Sequence, residues 1–162
     1  MRRIIGIDPG LTRTGWGVII SDGSRLQFVG CGTIAASDST MPLAARLVKL
    51  SDELARVIAQ HVPGEAAMEE TFATANGAST LKLGQARGAL MLTLAQAGLS
   101  VAEYATRTVK KSLVGTGRAE KHQVAEMVSL LLPPARQALM GEKHDASDAL
   151  AIAICHAHHR SG

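Results

Sequence analysis

The chain has 162 residues, 46% of them apolar and 19% charged, which suits one globular domain (residues 1–162) and excludes a disordered or fibrous chain. A net charge of +3 is too small to imply an anionic partner by itself, and no stretch approaches a membrane span. Cys31 and Cys155 show no CxxC or finger spacing and read as small buried hydrophobes in a reducing, cytoplasmic setting.

Residues 4–8, 15–20 and 26–34 read as three consecutive strands, and Asp22-Gly23 marks the second turn as a hairpin. Residues 42–61 are helical, with Leu43, Leu47, Leu50, Leu54, Val57 and Ile58 on one face and Pro42 suited to the first turn. Residues 65–69 form a short strand. The small, polar residues 71–80 precede a helix over 81–97, which stops at Gly98. Residues 99–104 are a fifth strand. A basic connector, a helix over 120–132, the Pro133-Pro134 break and a last helix from about 145 to 158 follow. The order predicts an α/β fold: a five-stranded mixed sheet in which an antiparallel meander feeds parallel strands, flanked by helices.

Asp8 ends the first strand, and the chain turns at once through Pro9-Gly10. A buried, unpaired carboxylate costs several kcal/mol, about 2 or more, or is forced to protonate, so Asp8 needs a partner. Glu69 ends the fourth strand, with Glu70 beside it. If those strands are parallel neighbours, both acids reach one rim of the sheet, where α/β folds place their sites. Asp145 and Asp148, spaced i, i+3, fall on one face at the start of the last helix, where an acid is also a common cap. Asp8 alone could equally be a turn former. Four acids gathered by one fold would repel unless cations bind, and an all-oxygen cluster suits Mg²⁺ or Mn²⁺ rather than Zn²⁺. Two such ions, about 3.5–4 Å apart, clamp the attacking and leaving oxygens of a phosphodiester hydrolysis.

GIDPG with the following TGWGV, then AMEETF, LKLGQARG, G-x-x-x-AEK and DASDALAIA together resemble the RuvC family of Holliday-junction resolvases, over residues 4 to about 157. The resemblance implies an RNase H-like fold, a homodimer, and Mg²⁺-dependent nicking of two opposed strands at a four-way DNA junction, with two ions per site and Mn²⁺ able to substitute. It also implies the branch-migration proteins RuvA and RuvB as partners. Carried over by motif, Asp8, Glu69, Asp145 and Asp148 are the catalytic metal ligands, which favours Glu69 over Glu70. In some members a His stands where this chain has Asp145, so an all-carboxylate site is implied here.

Residues 105–122 concentrate five basic and one acidic residue, a pattern that fits phosphate contacts or a solvated face. The resemblance places Lys110 and Lys121 on DNA phosphates; Lys111 and Arg118 are added by proximity. Phe72 stands alone among small polar residues, where it could pack or stack on a base. The resemblance places an aromatic there near the junction centre. Arg87 could equally brace a dimer, and His144 is read as a loop bystander, with positioning of water as the alternative. The C-H-A-H-H run at 155–159 reads as a helix end rather than a zinc site. The sequence is also compatible with three other readings: a nucleotide kinase of the actin-like superfamily, which needs two such domains, a nuclease for RNA–DNA hybrids, and a non-catalytic junction-binding module.

Overall fold

In the computed structural model, which describes residues 1–71, 73, 75–141 and 144–160, the N-terminal apolar run lies at the centre of a sheet. β1 (Arg2–Asp8) pairs antiparallel with β2 (Arg13–Asp22), and β2 antiparallel with β3 (Arg25–Ala35). The β2–β3 turn contains Gly23 at φ 59°, a conformation that glycine adopts without steric cost. On its other side β1 pairs parallel with β4 (Glu65–Glu69), and β4 parallel with β5 (Val101–Tyr104). The order β3-β2-β1-β4-β5 is the mixed sheet that the sequence predicts.

Side chains alternate across a strand, and that period of two builds a core on each face. Ile5, Ile7, Val18, Ala66 and Met68 pack with Leu50 and Leu54 of α1 (Leu43–His61) and Leu90 and Leu94 of α2 (Gly77–Gln96). Ile4, Ile19 and Ala67 point the other way. They meet Val109 and Leu113 of α3 (Thr106–Val114), Val124 and Val128 of α4 (Lys121–Leu131), Ala135 of α5 (Ala135–Leu139) and Leu150 and Ile154 of α6 (His144–His159). The same alternation carries Asp8 and Glu69 onto the α6 face, in step with Ile4 and Ala67.

Helix α6 lies almost backbone to backbone on the sheet. A Cβ added at Gly6 would sit 2.1 Å from the Ala149 carbonyl oxygen, and one at Gly15 would sit 2.0 Å from that of Asp145. Ala146, Ala149 and Ala153 are fully buried beneath it. Small residues on both sides thus set how near the start of α6 comes to the end of β1.

Three elements depart from the sequence reading. Helix α2 begins at Gly77 rather than 81, because Asn76 caps it: its side chain accepts from the Ser79 N–H at 3.1 Å. The basic connector is itself helical as α3, with Val109 and Leu113 one turn apart on its buried face and Gly115 at φ 84° closing it. The short α5 follows Pro133-Pro134. No helix among the described residues is long and apolar enough to cross a membrane.

Candidate active site

Ile7 of β1 is in register with Met68 of β4, so the next residues, Asp8 and Glu69, stand side by side at the strand ends. The turn after Asp8 is pinned by fully buried Thr14. Its hydroxyl donates to the Gly10 carbonyl at 2.7 Å and accepts from the Gly10 N–H at 3.3 Å. Asp145 and Asp148 project from the first turns of α6. Asp8, Glu69 and Asp148 line a cleft of about 150 Å³ together with Thr106, Lys110 and Lys121. Asp145 stands next to it, paired with Arg13 Nε at 3.0 Å.

The electrostatics follow from that crowding. Burial, then the charges of Glu69 and Asp148, push the Asp8 carboxyl up to about 9, with Asp145 adding in the same direction. Burial also raises Asp148, against the pull of the Lys121 ammonium 3.7 Å away. Glu69 accepts a hydrogen bond from the Thr106 hydroxyl at the start of α3. Glu70 is exposed, and its N–H donates to the Tyr104 carbonyl at 2.8 Å, so Glu69 is the acid of this pair that faces the cleft.

The donor set is all carboxylate oxygen, which suits a hard divalent cation, and like charges this close cannot all ionise without one. Among the described residues no three His, Cys, Asp or Glu side chains already stand in a geometry that could hold a metal ion. Asp145 is paired with Arg13, Glu69 accepts from Thr106, and Asp148 lies beside Lys121. The residues fit a divalent metal in donor chemistry and in neighbourhood.

The basic residues separate. Lys110 and Lys121 line the acidic cleft. Lys111 faces the other flank of α3, beside Thr108, Ser112, His158 and His159. Arg118 is exposed in the loop before α4, its N–H donating to Thr116 Oγ1 at 3.3 Å. The expectation for Phe72 lies outside the described residues. His144 is the exposed first residue of α6. Arg87 makes contacts within the chain: its Nε donates to the Glu69 carbonyl at 3.4 Å and its guanidinium pairs with Glu103. The three C-terminal histidines are spread apart. His156 is buried between Tyr104 Oη (2.8 Å) and Glu65 Oε2 (2.9 Å), His158 meets Ser112 Oγ at 3.0 Å, and His159 meets the Cys155 carbonyl at 2.9 Å. Sequence reading missed Thr106 and Arg13. Thr106 carries a faint signal, a hydroxyl two residues after a strand; Arg13 carries none, since its partner lies 132 residues away.

A central parallel pair ending in acids, a meander beside it and an acid-bearing helix across it define the RNase H-like resolvase nucleases. The yeast mitochondrial Holliday junction resolvase Ydc2 has this fold, with a TM-score of 0.71 at 16% identity, over 97% of this chain and 79% of its own. The Thermus thermophilus RuvC solved with a Holliday junction substrate is nearer: TM-score 0.86, 29% identity, 99% of this chain and 96% of that one. The family model described as crossover junction endodeoxyribonuclease RuvC matches residues 4–156. Relatives of that name from Azorhizobium caulinodans and Rhodopseudomonas palustris are 59% and 58% identical, over 99% and 98% of this chain and 92% and 88% of theirs. The chain belongs to the RuvC family of crossover junction endodeoxyribonucleases, divalent-metal-dependent DNA hydrolases that resolve Holliday junctions.

Proposed function

We propose that this chain, acting as one nuclease domain in a cytoplasmic homodimer, resolves four-way junctions by paired, symmetric, Mg²⁺-dependent cuts. Asp8, Glu69, Asp145 and Asp148 would hold two Mg²⁺ ions, for which Mn²⁺ substitutes. When bound, such ions lower the pKa of an attacking water and neutralise charge on the leaving oxygen. The observation that carries the reading is the meeting of Asp8, Glu69 and Asp148 with Lys110 and Lys121 in one cleft, Asp145 alongside. Carboxylates supply the metal ligands, and the lysines supply counter-charge for the phosphates on either side of the cut.

Lys110 and Lys121 contact the junction backbone beside the site, and Phe72 stacks on an unpaired base. Lys111 and Arg118 extend the basic surface along the DNA arms. Each active site cuts one strand, so resolution calls for two copies related by a two-fold axis. The T. thermophilus relative solved with a Holliday junction supports this choice of substrate. RuvA and RuvB are the partners that would deliver the junction.

The reading is tested by incubating the protein and Mg²⁺ with end-labelled four-way junction, duplex and RNA–DNA hybrid of the same sequence. Symmetric nicks on the junction alone are expected. Cleavage of the hybrid, or binding without nicks, would reject it.

A further inference from the structure

Arg13 is the first residue of β2, and its position against α6 is fixed from both sides. Gly15 lets the start of α6 come within van der Waals reach of β2, and buried Thr14 locks the turn behind it. The Arg13 Nε therefore meets Asp145 Oδ2 at 3.0 Å between two rigid elements, with the side chains only 32% and 29% exposed. Lys121, the cation paired with Asp148, is 72% exposed and stands 3.7 Å away, a looser pairing on a flexible stem. A half-buried guanidinium at hydrogen-bonding distance is a strong, directional counter-ion.

We propose that Arg13 is a positioning residue that stands in for a cation at Asp145 while the site holds no metal, so that Asp145 can join a metal ion only by exchanging its arginine. Resting on the reading of Asp145 as a metal ligand, the proposal adds a competitor that sets how tightly the ion is held. Arg13 keeps the acid cluster from repelling itself apart in the metal-free protein, and the same bond opposes loading.

The test is Mn²⁺ binding to the metal-free protein, measured by calorimetry without DNA. Arg13→Gln should bind Mn²⁺ about three- to tenfold more tightly than wild type, and Arg13→Lys, which can still pair, should fall between. In an Asp145→Asn background the same Arg13→Gln change should have no effect, which separates exchange at Asp145 from a general loss of positive charge. Unchanged or weaker binding by a natively folded Arg13→Gln overturns the proposal, as does an equal gain in the Asp145→Asn background. Should Arg13→Gln fail to fold, the NMR signal of the Arg13 Nε–Hε group in wild type decides. It must shift when Mg²⁺ saturates the site, and a signal that stays in place overturns the exchange. No Mn²⁺ uptake by wild type would instead overturn the metal-site reading on which the proposal rests.

Discussion

Asp8 shows how one residue is asked for two incompatible things. Its place at the end of the central strand buries it among three other acids, which pushes its carboxyl up to about 9. In the metal-free protein it therefore keeps a proton that the unfolded chain gives up near pH 4, and unfolding gains from ionisation as pH rises from there toward 9. Asp8→Asn removes that penalty. It should stabilise the metal-free protein by about 1–3 kcal/mol at pH 8, with no gain below about pH 4. Thermal melts in chelator across that range check it; a gain that grows on acidification would contradict the sign. Lys121, on the other wall, is expected to contact a phosphate of the junction. Lys121→Ala should weaken junction binding for every sequence alike and make the slope of log affinity against log salt shallower by about one. A salt titration by fluorescence anisotropy measures that slope.

Among the elements, α6 matters most, because it carries two of the acids and packs on the strands that end in the other two. Gly6 is one of two points of closest approach: with a Cβ 2.1 Å from the Ala149 carbonyl, Gly6→Ala must push the helix out. A loss of about 1–3 kcal/mol is expected in denaturant melts, with weaker metal binding because Asp145 and Asp148 move away from Asp8. The far end of α6 is tied down by His156, bonded to Glu65 and Tyr104. Burial lowers the His156 pKa below 6.5, so the folded protein resists protonation there and loses stability as pH falls through that value. His61, lowered by burial too, has the same sign. The stability difference between wild type and His156→Gln should therefore shrink below about pH 6.5, as melts at pH 5 and 7.5 would show. The strands were legible because alternation and turn residues are local: residues 4–8 and 65–69 fall inside β1 and β4. Helix α3 was not, because its basic residues masked the single Val109–Leu113 pair that buries it. The start of α2 was hidden in the same way by Ala, Ser and Thr, although Asn76 was there to be read as a cap.

At the scale of the whole molecule, the site is a product of topology. Asp8 and Glu69 come together because β1 and β4 are parallel neighbours, and the last helix crosses back over both. The strand ends and the i, i+3 acids could be read from the sequence, and so could the rim where they meet. The pairings that hold them, Arg13 with Asp145 and Thr106 with Glu69, arise from chain segments too distant for any local pattern to join. These four acids, and not their neighbours, are proposed to form the cutting centre. The most direct measurement compares Mg²⁺-dependent nicking and junction binding for Asp8→Asn, Glu69→Gln, Asp145→Asn, Asp148→Asn and, as the contrast, Glu70→Gln. The first four should each cut about 100-fold or more slowly while binding the junction nearly as wild type does, with Glu70→Gln cutting normally. Near-wild-type cutting by any of the four, or loss of cutting in Glu70→Gln alone, would contradict the account.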